Sequence, residues 1–129
     1  THATINTDGT AVNGMILFPD GCNISNASAI SWGKINDVST WDNATKCTTA
    51  QWTYLESLGC VFLPAAGYRN GTSVTGAGTA GNYWSSSSHI SIGGNAYRMY
   101  FYTNSSSFGD ASGSSRNYGY SVRLVRQAE

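Results

Sequence analysis

Two histidines, three cysteines and seven acidic residues are the whole inventory from which this 129-residue chain could build acid–base, metal or thiol chemistry. His2 lies near one end, His89 in a Ser/Gly-rich stretch, and Asp110 is the only acid between Asn82 and Arg126. A general acid–base pair needs two titratable groups converging on one reacting atom, and a metal site needs several ligands, so the parts are too few for either. The chain is therefore expected not to be an enzyme and to hold no metal or other cofactor. Cys22, Cys47 and Cys60 are too widely spaced for a zinc knuckle and too few for a disulfide framework. Cys60 begins the apolar run Cys60-Val61-Phe62-Leu63 and reads as a free core thiol. Cys22 and Cys47 lie in polar, loop-like sequence, where either they pair or both stay reduced.

Non-covalent contact is the chemistry that the last third does favour. Of the 45 residues from Asn82 to Arg126, 12 are Ser, 6 Tyr, 5 Gly and 4 Asn, and only Asp110 and four Arg carry charge. Tyr offers a large, rigid, amphipathic face at low entropic cost, and Ser, Gly and Asn offer adaptable hydrogen bonding, the same division of labour found in antibody paratopes. A flexible linker of Ser and Gly carries almost no aromatics. Here Trp84, Tyr97, Met99, Phe101, Tyr120, Val122 and Leu124 recur at sheet spacing.

These residues need elements to hold them. The segment Asn95 to Thr103 alternates, which turns Tyr97, Met99 and Phe101 toward a core and Arg98, Tyr100 and Tyr102 toward solvent. Tyr83 to Ser86 predicts a strand, and Tyr120, Val122 and Leu124 repeat the alternation opposite Ser121 and Arg123 in a final one. Thr48-Thr49-Ala50-Gln51 is a capping box that opens a helix over about Thr49 to Leu58, with Trp52, Leu55 and Leu58 on one face and Gly59 as its stop. Cys60 to Pro64 follows at once as a buried strand ended by proline, and Ala65-Ala66-Gly67-Tyr68 leaves little room for side chains, as tight packing against another element requires. Upstream, Ala3 to Ile5 alternates weakly, Asp8-Gly9 signals a turn, and Val12 to Phe18 reads as a strand stopped at Pro19-Asp20-Gly21. Cys22 to Lys46 is predicted as a long irregular loop tacked down by Ile30, Trp32, Ile35, Val38 and Trp41. Arg69 to Gly81, with Gly71, Gly76, Gly78 and Gly81, is read as a loop, and its Gly-Ala-Gly-Thr-Ala-Gly run is no dinucleotide site, because the required helix and acidic residue do not follow it.

Length and charge bound the rest. One domain spanning residues 1–129 is expected from the size. Charged residues are 11% of the chain, seven basic against seven acidic, so there is no basic footprint for nucleic acid and no Lys/Arg-rich amphipathic helix for a membrane surface. The apolar runs are strand-sized, well below the roughly 20 residues that span a bilayer, so no membrane insertion is expected. The chain opens at Thr1 with no Met, basic n-region or apolar h-region, so it reads as a mature or excised fragment and is expected to be the C-terminal domain of a longer protein. Asn-X-Ser/Thr triplets begin at Asn23, Asn26, Asn43, Asn70 and Asn104 and would carry glycans only in a eukaryotic source.

The words FLPAAGYRNG (Phe62 to Gly71), YWSSS (Tyr83 to Ser87) and YGYSVRLVR (Tyr118 to Arg126) resemble those of a large set of proteins from Bacteroidales and their phages. These include the C-type-lectin-like variable proteins of diversity-generating retroelements and the related Fibrobacter major paralogous domain. The resemblance runs from about Thr48 to Arg126 and fades toward the N-terminus. It implies an α+β, C-type-lectin-like fold: loop-rich, with short antiparallel sheets and one clear helix near 49–58. In that fold the N-terminal strand pairs with the final one, which would set Val12 to Phe18 beside Tyr120 to Val125.

The resemblance further implies a ligand-binding display module in which residues 82–126 form the variable region. By the resemblance the varied, ligand-contacting positions are Asn82, His89, Ile90, Arg98, Tyr100, Tyr102, Asn117 and Tyr118, while Trp84, Ala96, Met99, Phe101, Gly119, Val122 and Arg123 match the scaffold. The implied partner is a protein or other cell-surface macromolecule, met by a secreted protein, a bacterial surface or a phage virion. The alternative is a structural or adhesin module of a surface protein or pilus, without diversification. Sugar binding through calcium is not expected, because the Glu-Pro-Asn and Trp-Asn-Asp motifs of calcium-dependent lectins are missing and Ser85-Ser86 follow Trp84 without carboxylates. Formylglycine-generating enzymes share the fold but need a cysteine pair in the C-terminal half, and no Cys lies beyond Cys60.

Overall fold

The computed structural model describes residues 2–7, 9–22, 45–102 and 113–124. They form a mixed α+β arrangement of short sheets and one helix. β1 (His2–Thr7) and β2 (Thr10–Leu17) make an antiparallel hairpin, and in its turn Gly9 takes a φ of 81° that a residue without Cβ adopts freely. β3 (Thr45–Thr48) joins β1 in parallel and β4 (Val61–Pro64) joins β2 antiparallel, giving a four-stranded sheet ordered β3-β1-β2-β4. β5 (Tyr68–Asn70) and β6 (Ser73–Thr75) pair as a small hairpin, and β7 (Ala80–Ser88), β8 (Asn95–Tyr102) and β9 (Ser114–Ser115) make a three-stranded sheet.

Helix α1 (Thr49–Ser57) starts where its capping box requires. The Gln51 N–H donates to Thr48 Oγ1 at 3.3 Å and the Thr48 N–H donates to Gln51 Oε1 at 2.8 Å, so two otherwise orphaned donors are satisfied reciprocally. Gly59, at φ 86°, turns the chain out of the helix and directly into β4. We expect Thr48→Ala to lower stability by about 1 kcal/mol in urea unfolding, the usual cost of a lost N-cap; an unchanged midpoint would contradict the cap.

Two core clusters lie on opposite faces of the four-stranded sheet. Ala3, Ile5, Ile16, Cys47, Leu55 and Cys60 pack together on one side, with Phe18, Cys22, Trp52 and Phe62 against them. Met15, Leu63, Ala65, Tyr83 and Phe101 pack on the other, joined by Val61 and Met99. Neighbours in β2 thus feed different layers, Ile16 toward α1 and Met15 toward β7 and β8. This double burial is why Met15 and Ile16, and Val61 to Leu63, are consecutive apolar residues rather than alternating ones.

Several expectations are corrected here. Val12 to Phe18 does not pair with Tyr120 to Leu124: β2 is flanked by β1 and β4. Nor do Tyr120 to Leu124 form a strand; Ser121 makes an isolated parallel bridge with Tyr83, and Val122 and Leu124 stand 66% and 90% exposed. Their alternation is that of a strand edge without a partner sheet to bury it. Cys47 and Lys46 belong to β3 rather than to a loop, and Cys47 is fully buried, because four residues with a single apolar side chain are too few to display a period. Arg69 to Gly81 holds most of the β5–β6 hairpin and the start of β7, for the same reason of length. The anchors Ile30, Trp32, Ile35, Val38 and Trp41 lie outside the described residues.

Candidate functional site

The β7–β8 ladder sets the geometry of the site. Its register pairs Trp84 with Arg98, Asn82 with Tyr100 and Ala80 with Tyr102, and residues directly opposite each other in an antiparallel pair share a face. Asn82, Trp84, Arg98, Tyr100 and Tyr102 therefore project together. The intervening pairs, Tyr83 with Met99 and Gly81 with Phe101, face the core.

Three further tyrosine-bearing positions reach this face through single-residue bridges. Arg69 and Gly119 exchange backbone hydrogen bonds of 2.9 Å in both directions, and Trp84 N–H donates to the Ser121 carbonyl at 3.0 Å. Tyr68, Tyr118 and Tyr120 are thereby drawn together: Tyr118 and Tyr120 stack with ring centroids 5.6 Å apart, and Tyr68 meets each edge-on at 5.6 Å. Trp84 lies against Tyr120 at 4.4 Å, and Tyr100 against Tyr102 at 5.3 Å.

Arg98 is the hub of the cluster. Its guanidinium lies 4.6 Å from the Tyr100 ring and 5.3 Å from the Tyr120 ring, both within cation–π range. Nη1 donates to Asn82 Oδ1 at 2.9 Å and to the Tyr120 hydroxyl oxygen at 2.6 Å. The same oxygen lies 2.8 Å from Ser114 Oγ, in a hydrogen bond that either hydroxyl can donate. Burial raises the Tyr120 pKa, and the Ser114 hydrogen bond and the Arg98 charge act against the rise. Tyr120 therefore stays neutral and available as both donor and acceptor. Such a chain of charge-assisted bonds rigidifies the strands beneath the outer tyrosines.

The eight sequence-predicted positions divide under this geometry. Asn82, Arg98, Tyr100, Tyr102 and Tyr118 share the cluster, but not as the fully exposed face expected. Asn82 is completely buried, and Arg98, Tyr100, Tyr102 and Tyr118 are half-buried, since Tyr120, Trp84 and Tyr68 pack among them. His89 and Ile90 occupy the β7–β8 hairpin loop, at the opposite end of the ladder from Tyr102. His89 Nδ1 accepts from the N–H groups of Ser91 and Ile92 at 3.2 and 3.1 Å, and its ring lies 4.8 Å from that of Tyr97. Ile90 is 89% exposed, and Asn117 is exposed in the turn after β9.

Sequence reasoning missed Tyr68, Ser114 and the hydrogen-bonding role of Tyr120, although it had turned Tyr120 inward, as its burial bears out. No spacing could announce them, because the Arg69–Gly119 bridge joins positions 50 apart without a repeating ladder. It also missed a largely apolar cavity of about 240 Å³ on the neighbouring flank, lined by Leu17, Val61, Leu63, Tyr83, Trp84, Ser85, Met99 and Arg123. Burial raises the Tyr83 pKa there, with Arg123 opposing it, and the Tyr83 hydroxyl donates to the Pro64 carbonyl at 2.7 Å.

Among the described residues no three His, Cys, Asp or Glu side chains group to hold a metal, and no helix is long and apolar enough to cross a membrane. A family model described as a domain of unknown function, DUF8237, matches residues 21–125. No curated protein and no solved structure matches the chain.

Proposed function

Because the chain belongs to the DUF8237 family of domains of unknown function, its role is read from its own surface, and we propose that it is a ligand-binding display module. In this reading the tyrosine face on β7 and β8 contacts a protein or other macromolecule at a cell surface. The observation that carries it is the pairing of a rigid polar base, Arg98 with Asn82, Tyr120 and Ser114, with an outer layer of half-buried Tyr68, Tyr100, Tyr102 and Tyr118. Tyr and Arg dominate interface hot spots, and pre-ordered aromatic rings lose little entropy on binding. The α+β architecture is compatible with a C-type-lectin-like domain, and we place the module with the retroelement-diversified variable proteins that its motifs resemble. Residues 82–126 would be the diversified region of a secreted, cell-surface or virion protein.

The buried network refines which positions make contact. A position free to vary must be energetically separate from the core; Tyr100, Tyr102 and Tyr118, with Ile90 and Asn117, meet that condition better than Asn82 or Arg98. Binding rather than catalysis is favoured because His2 is buried beside Phe101 and His89 Nδ1 is occupied within its own loop. A second reading, a structural or adhesin module without diversification, draws on the same internal bonds of Asn82 and Arg98, which make that part of the face scaffold.

Tyr100, Tyr102 and Tyr118 replaced together by Ser separates the two. Wild type and triple variant are panned against a display library of cell-surface proteins, with circular dichroism to verify that both are folded. Binding by the face predicts a loss of at least about 30-fold in affinity, equivalent to ~2 kcal/mol, for whatever the wild type captures. A folded variant that captures the same partner equally well would leave the module reading.

A further inference from the structure

We infer that Cys22 and Cys60 form an intramolecular disulfide under oxidising conditions, leaving Cys47 as a buried thiol. The geometry carries this independently of the binding reading. The Cys22 and Cys60 Sγ atoms are 4.0 Å apart, across 38 positions of sequence. Two turns placed back to back bring them there. The Cys22 N–H donates to the Pro19 carbonyl at 3.1 Å, closing the Pro19-Asp20-Gly21-Cys22 turn, in which Gly21 has a φ of 74°. The Cys60 N–H donates to the Leu55 carbonyl at 3.1 Å, closing the turn that ends α1 through Gly59. The turns touch: a Cβ at Gly59 would lie 3.4 Å from Pro19 Cγ. Bond formation then needs the sulfurs to approach by about 2 Å, within reach of side-chain rotation and a small shift of the surface turn, since the S–S bond itself is about 2.05 Å.

Burial and reactivity assign the order of events. Cys22 is half-buried and can be reached from solvent, whereas Cys60 and Cys47 are buried at 4% and 0% exposure. With an external small-molecule disulfide as oxidant, the Cys22 thiolate attacks one of its sulfurs, forming a mixed disulfide and releasing one thiol. Cys60 then gives up its proton and attacks Cys22 Sγ; the mixed S–S bond breaks and the second external thiol leaves. Two protein thiols are oxidised by two electrons, and one external disulfide is reduced to two thiols. Burial and the adjacent Cys22 thiol push the Cys60 thiol up to about 11, so the closing step quickens by about tenfold per pH unit between pH 7 and 10.

The test uses the full chain incubated with oxidised glutathione, alkylated without reduction, digested and mapped by mass spectrometry. The expected product is one cross-linked peptide joining Cys22 to Cys60, with Cys47 alkylated only after denaturation. Its melting temperature rises by roughly 10–15 °C over the reduced protein, as closure of a loop of this length predicts. Cys22→Ser, a change at a half-buried turn position, should stay folded and show neither cross-link nor rise. A cross-link through Cys47, recovery of Cys22 and Cys60 as thiols or as glutathione adducts, or an equal rise in Cys22→Ser would each overturn the assignment.

Discussion

Phe101→Ala is expected to lower the unfolding free energy by about 3–5 kcal/mol, measured by urea denaturation, the penalty for emptying a fully buried aromatic site. Phe101 is 1% exposed and sits where both sheets meet. Its ring lies 6.3 Å from Tyr83 in a stacked arrangement and 6.2 Å from His2, so it joins β8 to β7 and to β1. Across the ladder its partner is Gly81, where a Cβ would overlap the Phe101 ring. The ring thus occupies the volume that a side chain at 81 would take. Gly81→Ala is accordingly destabilising alone, and the Gly81→Ala/Phe101→Ala double variant should lose less than the sum of the singles, because the cavity from one accepts the methyl of the other. Strict additivity would contradict the contact. Tyr100→Ala, one position away but on the opposite face, should cost only about 1 kcal/mol, from its contacts with Arg98 and Tyr102. Equal losses at 100 and 101 would reject the strand register.

Gly67→Ala is expected to be strongly disruptive, costing about 3 kcal/mol or more and leaving little folded protein at 37 °C. Two independent penalties add at this site. Gly67 has a φ of 69°, in the left-handed region that a residue with a Cβ enters at a cost. A Cβ there would also collide with the Thr75 carbonyl oxygen and lie 2.7 Å from the Ala77 nitrogen, backbone atoms that cannot rotate aside. The position matters because the Gly67 N–H donates to the Ala80 carbonyl at 2.7 Å, joining the turn after β4 to the start of β7. Gly71→Ala is the matched control. Its φ of 58° carries the conformational penalty, but a Cβ there meets nothing within 4 Å, so it should cost only about 1 kcal/mol. Similar losses at 67 and 71 would show that close packing around Gly67 contributes nothing.

What could be read from the residues alone was whatever depends on near neighbours. The capping box at Thr48, the stop at Gly59, the β8 alternation and the crowding around Gly67 each act over a few residues, so each leaves a pattern in a short window. That local logic also identified Arg98, Tyr100 and Tyr102 as one face. Three matters were decided only by the folded chain. Which cysteine stands beside Cys22 depends on two turns 38 positions apart; the sequence alone offered Cys47 as its partner and Cys60 as a free core thiol. Whether an alternating segment is buried depends on a sheet arriving to cover it: Phe101 has one, while Val122 and Leu124, with the same alternation, do not. Finally, Asn82 became scaffold and Tyr120 a hydrogen-bonding hub because single bridges at Gly119 and Ser121 brought the chain's last segment against β7. Composition specifies which side chains can bind; only tertiary contact determines which of them are already bound to each other, since burial and pairing are properties of distant neighbours and not of the residue itself.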